Sequence, residues 1–308
     1  MGDAIRNMVV RGAPAIGVAA AMGVALAAVH SKATDKASLI RDLENAAVGL
    51  RSTRPTAVNL FWGIDRVLNM ARRSNGSVDD IKKLVFSEVE QMAEDDVSAN
   101  RKLGKIGAEL IDDGDVVMTQ CNAGALATVG YGTALGVVRA AIEAGKYVSV
   151  IVPETRPALQ GSRLTAFELS RDRIDCTVIP DTAVGHMMST HRVDKVVVGA
   201  DRITRDAYLF NKIGTYQMAV LARRHNVPFL PAAPYSTFDM GRTHDEITIE
   251  ERSSDEIVKI RGRRIVPKGV PVANPAFDLT PPELVSSIIS DRGLIETPVE
   301  KNLALIMR

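Results

Sequence analysis

The architecture follows from one segment, Asp115-Val-Val-Met-Thr-Gln-Cys-Asn-Ala-Gly-Ala-Leu-Ala-Thr-Val-Gly-Tyr-Gly-Thr-Ala-Leu-Gly136. Its short apolar run, residues 116–118, predicts a buried strand. A polar tetrad and an Ala/Gly-rich stretch follow, and residues 134–144 then read as a helix that stops at Gly145. This order is typical of an open α/β sheet, which binds ligands at the carboxyl ends of its strands.

The glycines of this segment permit backbone amides to approach an anion closely, and the dipole of a following helix adds to that attraction. Cys121 is a candidate catalytic thiol at the strand end. The alternative is a buried turn with a structural cysteine, since free cysteines are more often core residues. The spacing Gly130-x-Gly132-x-x-x-Gly136 misses the dinucleotide fingerprint by one residue. We therefore expect no NAD and no other cofactor.

Composition bounds the class of protein. A chain of 308 residues forms one large or two ordinary domains, and 46% hydrophobic with 24% charged residues is typical of a soluble globular protein. The formal net charge of +1 gives no reason to expect nucleic acid or an anionic membrane as partner. Cys121 and Cys176 are too few for a disulfide scaffold and suit a reducing cytosol, so we expect a cytoplasmic protein.

One apolar run resembles a targeting segment. Residues 13–29 are apolar without interruption and follow two arginines, as in a secretory signal peptide. The run contains Pro14, Gly17 and Gly23 and is rich in alanine, which transfers poorly into lipid. We interpret it as a buried helix, with secretion as the alternative.

The predicted fold class is α/β, with a mostly helical N-terminal domain, residues 1–112, followed by a Rossmann-like parallel-sheet domain, residues 113–308. In the first part, helical periodicity covers residues 15–30, 39–50, 58–72 and 78–111, with a break at 51–55 and Ser77 as an N-cap. In the second part, strands predicted at 116–118, 147–152, 176–179, 195–198 and 227–230 alternate with helices at 134–144, 161–171, 183–189 and 215–224. That alternation indicates a parallel sheet covered on both faces.

The strand ends of this sheet carry candidate catalytic and binding groups. Asp201 follows the fourth strand, where burial would raise its pKa towards the range of a general acid; the alternative is a cap of the next turn. Asn211 and Lys212 suit a phosphate or sugar hydroxyls, unless the lysine lies in a solvated loop. Arg156 offers a two-pronged contact for phosphate, or a partner for Glu154.

Two further cations lie in the N-terminal half. Arg11 precedes a Gly-Ala-Pro turn and a helix start, a combination that can hold an anion on exposed amides. Arg54 is another candidate, although a lone arginine ahead of a helix is usually structural. The histidines have no metal-ligand spacing, and no second cysteine lies near Cys121 in the sequence. Metal catalysis is therefore disfavoured, and we expect no metal.

Together these motifs resemble the methylthioribose-1-phosphate isomerase family, which shares its fold with regulatory subunits of the translation initiation factor 2B complex. The matching segments, in chain order, are Arg11-Gly-Ala-Pro-Ala-Ile-Gly17, Gln120-Cys-Asn-Ala-Gly-Ala-Leu-Ala-Thr128, Glu154-Thr-Arg-Pro157, Gln160-Gly161, Gly199-Ala-Asp-Arg-Ile203, Asn211-Lys-Ile-Gly-Thr215, Ala233-Pro-Tyr-Ser-Thr237, Glu250-Glu-Arg252 and Asn274-Pro-Ala-Phe277. They span nearly the whole chain, so the resemblance is specific.

The resemblance implies an aldose–ketose isomerase that interconverts 5-methylthioribose 1-phosphate and 5-methylthioribulose 1-phosphate in methionine salvage. The catalytic pair of the family falls on Cys121 and Asp201. Its substrate contacts fall on Arg11, Gly12, Ala13, Arg54, Gln160, Asn211 and Lys212. A small sugar phosphate is then the binding partner, and we expect a homodimer.

The chain departs from the family pattern at two places. Members carry some tens of residues before the Arg-Gly-Ala-Pro motif, forming strands of the N-terminal domain, whereas ten residues precede Arg11 here. We expect this difference to bear on stability and on closure of the site. The loop at residues 204–210 also differs from the Asn-Gly-Asp-rich loop of the family, although its flanks match.

The implied reaction needs an acid, because a phosphate ester on the anomeric carbon prevents ring opening by simple hemiacetal chemistry. We assign Asp201 to protonate the ring oxygen while the C1–O bond breaks. Hydrogen then moves from C2 to C1. Either Cys121, as a thiolate, takes the C2 proton towards an enediol, or a direct hydride shift occurs and Cys121 handles the hydroxyl proton.

Two alternatives compete with this function. A non-catalytic regulatory subunit of the initiation factor 2B type would need neither Cys121 nor Asp201, so the presence of both disfavours it. A ribose-1,5-bisphosphate isomerase would share the catalytic pair. The apolar residues after Asn122 resemble the methylthioribose branch, whereas we expect a more polar loop in the bisphosphate branch.

Overall fold

The structure, a computed structural model, describes residues 1–54 and 57–307. Helices form the first third of the chain, and the four that were predicted are confirmed with small shifts of their ends. The predicted break after residue 51 coincides with the end of the third helix, while Pro55 lies outside the described residues. The helices are α1 (Gly2–Arg6), α2 (Ala13–His30), α3 (Lys36–Arg51), α4 (Val58–Arg73) and α5 (Val78–Ala108).

Helix α2 lies at the centre of this helical part and packs against α3, α4 and α5. Small residues permit that close packing: a Cβ added to Gly63 would lie only 2.2 Å from the carbonyl oxygen of Gly17. Helices α2 and α4 therefore meet backbone to backbone, which glycine alone allows. By length and composition α2 would also suit a membrane span, but 67% of it is buried inside the fold. The prediction of a buried helix is confirmed.

Helix α5 is one continuous helix of 31 residues. It begins with a capping box, in which Ser77 and Asp80 satisfy each other's backbone amides. Its buried residues up to Met92 belong to the core of the helical part, and those from Leu103 onward belong to a core on the sheet. The division of the chain at residues 112 and 113 stays a prediction.

Five parallel strands form the main sheet in the order β3-β2-β1-β4-β7. They are β1 (Val116–Met118), β2 (Ser149–Pro153), β3 (Cys176–Ile179), β4 (Lys195–Val198) and β7 (Phe229–Pro231). Alternate residues face opposite cores: Met118 packs on one side of the sheet and Val117 on the other. The predicted parallel sheet, buried on both faces, is confirmed.

The helices that cover the sheet were also predicted, with small differences in their ends. Residues 161–165 wind as a π-helix before the α-helix begins, so the predicted helix over 161–171 has a wider first turn. The covering helices are α6 (Ala134–Glu143), α7 (Ala166–Arg171), α8 (Val184–Ser189) and α9 (Thr215–His225).

Strands β2 and β7 start two residues later than predicted, because backbone groups at the start of each predicted strand form hydrogen bonds in the preceding turn and not in the sheet. The Tyr147 N–H donates to Asp113 Oδ1 at 2.7 Å, and its carbonyl accepts from Gly114 at 2.8 Å. Strand β2 therefore begins at Ser149. The Val227 N–H donates to the Ala222 carbonyl at 2.9 Å and closes the end of α9, so β7 begins at Phe229.

A second sheet, which the sequence did not predict, lies beside the main one. Its order is β11-β6-β5-β8, from β5 (Arg202–Thr204), β6 (Leu209–Lys212), β8 (Phe238–Asp239) and β11 (Phe277–Thr280). Asn211 and Lys212 therefore lie on a strand and not in a loop. The remaining elements are β9 (Lys259–Ile260), β10 (Arg263–Arg264), β12 (Ser287–Ser290), β13 (Gly293–Glu296), α10 (Asp255–Val258) and α11 (Val299–Ile306).

Candidate active site

A pocket of about 740 Å³, part of it open to solvent, lies between the start of α2 and the carboxyl ends of β1 and β4. Its position at the carboxyl ends of parallel strands is where such folds bind small molecules. The structure brings to its lining all the residues that the family resemblance assigned to the site: Arg11, Gly12, Ala13, Arg54, Cys121, Gln160, Asp201, Asn211 and Lys212. The residues come from both parts of the chain, so the pocket is shared between the helices and the sheet.

Cys121 follows β1 in a left-handed backbone conformation, with φ of +59°. Two buried threonines hold that conformation. The Cys121 N–H donates to Thr155 Oγ1 at 3.0 Å, and the Thr165 hydroxyl donates to the Cys121 carbonyl at 2.6 Å. A non-glycine residue in this region is strained, and such strain persists only where the surroundings fix it. The thiol is thus carried on a defined turn and lines the pocket.

Asp201 lies between β4 and β5, where its N–H donates to the Phe210 carbonyl at 2.9 Å. The residue keeps some surface in the pocket, but protein surrounds its carboxyl group. Burial raises the pKa of that carboxyl above its ordinary value, whereas the positive charges of Lys212, Arg54 and Arg11 act to lower it. Desolvation dominates, so the carboxyl keeps its proton to a higher pH than an exposed aspartate does, which suits a general acid.

Arg11 and Arg54 keep hydrogen-bonding capacity inside the fold. Arg11 Nη2 donates to the carbonyl oxygen and to Oδ1 of Asn122, at 2.9 and 3.0 Å, while its buried Nη1 has no hydrogen-bond partner among the described residues. Arg54 Nη2 lies 3.4 Å from Glu250 Oε2, and residues 1–54 and 57–307 offer no hydrogen-bond partner to its buried Nε. A buried donor without a partner costs free energy, which an anionic ligand would recover.

Gly12 and Ala13 form the start of α2 at the pocket. Gly12 has φ of +93°, and a Cβ there would lie 2.3 Å from the Ala127 carbonyl oxygen. Glycine is therefore required by both conformation and space. The close contact sets the first turn of α2 against residues 125–127, beside the strand end that carries Cys121.

The sheet contributes Gln160, Asn211 and Lys212. Gln160 is buried, and its Oε1 has no hydrogen-bond partner. Asn211 Nδ2 donates to Thr215 Oγ1 at 3.0 Å, which orients the amide. Lys212 Nζ donates to the Ala276 carbonyl at 2.9 Å and lies 4.5 Å from the centre of the Phe277 ring. Lys212 is thus a held, half-buried cation on the pocket wall and not a solvated lysine.

The pocket also contains a cation that sequence reasoning gave no role. Arg252 lines it, with Nε donating to both carboxylate oxygens of Glu256 at 3.0 and 3.1 Å. Its position in the quoted Glu-Glu-Arg motif was the one signal available. Arg156, in contrast, is not part of the lining; its guanidinium donates to the Pro157 carbonyl at 3.3 Å.

The backbone amides of the glycine-rich loop bind an anion, as predicted, but that anion is the carboxylate of Glu168 and not a ligand. The N–H groups of Ala125 and Leu126 donate to the carboxylate of Glu168, at 2.7 and 3.2 Å. Sequence reasoning missed Glu168, because a glutamate in a helix reads as a solvated charge. Among residues 1–54 and 57–307, no group of three or more His, Cys, Asp or Glu side chains is placed to hold a metal ion.

An apolar recess adjoins the pocket beside Asp201. Its wall includes the aliphatic and aromatic side chains of Ile16, Phe210, Ile247 and Ile249. Two arginines also touch it, and each already lies near a carboxylate: Arg54 near Glu250 at 3.4 Å, and Arg202 near Asp239 at 3.5 Å. The recess therefore suits an apolar substituent better than a second anion.

Known proteins resemble this chain along nearly its whole length. The initiation factor 2 subunit family matches residues 9–297. The methylthioribose-1-phosphate isomerase of Acetivibrio thermocellus is 50% identical over 303 residues, which cover 98% of this chain and 89% of that protein. The solved 5-methylthioribose 1-phosphate isomerase of Pyrococcus horikoshii is 46% identical, with a TM-score of 0.91 over 99% of this chain and 86% of that one. A solved A. fulgidus chain, described as subunit delta of translation initiation factor eIF-2B, is 53% identical, with a TM-score of 0.87 over 99% of this chain and 89% of that one.

The parallel sheet covered by helices makes the chain an α/β protein, and arginine, lysine, cysteine and aspartate side chains line the pocket at its strand ends. It belongs to the initiation factor 2 subunit family. Its identity of about one half to proteins named as isomerases makes it an enzyme of the aldose–ketose isomerase class, which confirms the resemblance seen in the sequence.

Proposed function

We propose that this isomerase interconverts 5-methylthioribose 1-phosphate and 5-methylthioribulose 1-phosphate, as the names of its relatives suggest. One observation carries the proposal: Cys121 and Asp201 line the same pocket as the cations Arg11, Arg54 and Lys212. A sugar phosphate calls for both sets, because its phosphate is an anion and its isomerisation needs an acid and a proton acceptor.

In this proposal Asp201 is the general acid. Burial raises the pKa of its carboxyl, so more of it is protonated near neutral pH than of an exposed aspartate. It donates a proton to the ring oxygen as the bond between that oxygen and C1 breaks. The carboxylate left behind is stabilised by the positive charges of Lys212, Arg54 and Arg11.

Cys121 completes the transfer of hydrogen. The C2 hydroxyl becomes a ketone, so C2 is oxidised, C1 gains hydrogen and is reduced, and the hydroxyl proton must leave. Either Cys121, as a thiolate, takes the C2 proton and returns it to C1 through an enediol while the carboxylate of Asp201 takes back the hydroxyl proton, or the hydrogen moves from C2 to C1 as hydride, Cys121 accepts the hydroxyl proton and releases it to solvent, and Asp201 regains a proton from solvent. Deuterium at C2 separates the routes: it stays in the product after a hydride shift and exchanges with solvent during a slow enediol step.

The phosphate binds Arg11 and Arg54 in this proposal, with the amides at the start of α2 completing the site. The buried Nη1 of Arg11 and Nε of Arg54 support it, since neither has a hydrogen-bond partner in the part of the chain that the structure describes. Gln160 Oε1, which also has none there, accepts a hydrogen bond from a sugar hydroxyl. Asn211 and Lys212 bind the remaining hydroxyls.

The apolar recess beside Asp201 supports a methylthio group at the far end of the sugar. Transfer of such a group from water is favourable by about 0.8 kcal/mol per CH₂-sized unit. In ribose 1,5-bisphosphate a second phosphate would take that place, against Ile16, Phe210 and Ile249. The methylthio sugar is therefore preferred over the bisphosphate.

The test is to assay the purified chain with both sugar phosphates. Faster turnover of the methylthio sugar supports the proposal, and faster turnover of the bisphosphate assigns the enzyme to the rival branch. No turnover of either would favour the regulatory role that the description of the A. fulgidus chain suggests.

We further propose that the enzyme acts in the cytoplasm as a homodimer. The two free cysteines support a reducing compartment, and the net charge of +1 offers no attraction to nucleic acid. Sedimentation of the purified protein at micromolar concentration tests the dimer, and a monomer there would refute it.

A further inference from the structure

Glu168 is a buried carboxylate that does not line the pocket but bonds the loop that follows Cys121. It lies on α7, is 5% exposed, and accepts from the amides of Ala125 and Leu126. A third donor is Asn122, whose Nδ2 lies 2.8 Å from Glu168 Oε1. A charge buried to this degree needs full pairing to persist.

Arg139 supplies the countercharge, with Nη2 donating to Glu168 Oε2 at 2.9 Å. The same guanidinium also pairs with Asp172 through Nε and Nη2, and its Nη1 donates to the carbonyl of Tyr131 in the loop. The loop is shaped around the carboxylate: a Cβ added to Gly124 would lie 2.3 Å from Glu168 Oε2. The loop at residues 124–126 and the Glu168 carboxylate therefore form one closely packed unit.

Asn122 links this unit to the pocket. A side-chain amide has one accepting end and one donating end. Because Glu168 is an acceptor, the Nδ2 end must face it, and Oδ1 then faces Arg11 Nη2 at 3.0 Å. The carbonyl oxygen of Asn122 accepts from the same Nη2 at 2.9 Å. Asn122 thus holds the guanidinium of Arg11 through Nη2, and Nη1 has no hydrogen-bond partner within residues 1–54 and 57–307.

We infer that Glu168 is a positioning residue for phosphate binding: by fixing the amide of Asn122 it orients Arg11, and it leaves Nη1 for the ligand. The inference rests on the proposed function only in that Arg11 binds the phosphate. In Glu168→Gln an NH₂ group replaces one oxygen, so Asn122 Nδ2 loses its charged acceptor and keeps only the weaker contact with Thr165 Oγ1 at 3.2 Å. The orientation of the Asn122 amide is therefore held less firmly. If the Asn122 amide flipped, its Nδ2 group would face Arg11 Nη2, and two hydrogen-bond donors would then oppose each other.

The experiment is titration calorimetry of inorganic phosphate against the folded full-length protein. We expect Glu168→Gln to weaken phosphate binding about tenfold, the lower range for a charged hydrogen bond. Asp172→Asn is the matched control, because it breaks the other ion pair of Arg139 without touching the loop; its affinity should stay within about twofold of wild type. In an Arg11→Ala background, Glu168→Gln should cause no further loss.

Three results would overturn the inference: wild-type affinity in Glu168→Gln, an undiminished loss in the Arg11→Ala background, or no phosphate binding by the wild-type protein. If Glu168→Gln does not fold, Asn122→Ala carries the same expectation, a loss that disappears in the Arg11→Ala background. A chain that turns over neither sugar phosphate but shows this pattern would remove the proposed function and leave the role of Glu168 intact.

Discussion

Replacing Arg54 by alanine should weaken substrate binding, because it removes a cation from the pocket wall. The Arg54 side chain is 12% exposed, and its Nε is buried without a hydrogen bond. Loss of a hydrogen bond to a charged group costs about 1.5–3 kcal/mol. That range corresponds to a rise in KM of roughly 10- to 150-fold.

The position of Glu250 places the expected loss towards the upper part of that range. In the variant, Glu250 loses Arg54 at 3.4 Å and keeps Arg252 at 3.6 Å, so more of its negative charge opposes the phosphate. Arg54→Lys keeps the positive charge but loses the planar fork. It should therefore give an intermediate KM.

The assay is steady-state kinetics with the sugar phosphate, together with inhibition by the same sugar without phosphate. Arg51→Ala is the matched control: Arg51 ends α3 three residues earlier, pairs with Asp65, and does not line the pocket. Its KM should be unchanged. An equal loss of affinity for the sugar without phosphate would refute the reasoning, since Arg54 would then contact another part of the ligand.

Three other expectations concern the chemistry. Cys121→Ser and Asp201→Asn should each lower kcat about 10²- to 10⁴-fold with the fold intact. Cys176→Ser is the control and should lower kcat little, because Cys176 lies at the start of β3 and outside the pocket. A loss of kcat under tenfold in both catalytic variants would contradict the assignment of Cys121 and Asp201. Because burial raises the pKa of Asp201, the folded state binds its proton more tightly than the unfolded state, and stability falls as pH rises from the unfolded pKa of about 3.9 through the folded pKa. Asp201→Asn should therefore unfold at a higher Tm than wild type at pH 7, with the difference vanishing below about pH 4 in thermal melts; a lower Tm at pH 7 would contradict the direction of that shift. Activity should survive exhaustive treatment with EDTA without added nucleotide, and a loss restored by a divalent metal would show a metal site that the described residues do not reveal.

The main sheet was predictable because its strands are buried on both faces. Residues such as Val117 and Met118 are apolar in succession, since each face of the sheet has its own core, and such runs stand out in a sequence. The second sheet lacks this signal. Its strand β6 ends with Asn211 and Lys212, which line the pocket. These polar residues stand where a buried strand would carry apolar ones, so the pattern that identifies a strand is interrupted.

The site was predictable where motifs could be matched one by one, and less so where distant contacts decide the role of a side chain. Lys212 reads as a loop lysine until Ala276 and Phe277 are placed beside it, 64 and 65 residues along the chain. Glu168 reads as a solvated helix charge until Arg139 and the loop amides surround it. Such partners meet through the fold and leave no local pattern in the sequence.

The continuity of α5 determines when the pocket acquires its shape. One end of this helix packs in the core beside α2, and the other packs against α6 and the sheet, so the two walls of the pocket share one rigid segment about 46 Å long. Arg11 and Asp201 therefore line one pocket whose two walls this helix connects. We infer that the loss of conformational entropy needed to bring them together occurs mainly on folding, so that the binding energy of the phosphate can stabilise the transition state.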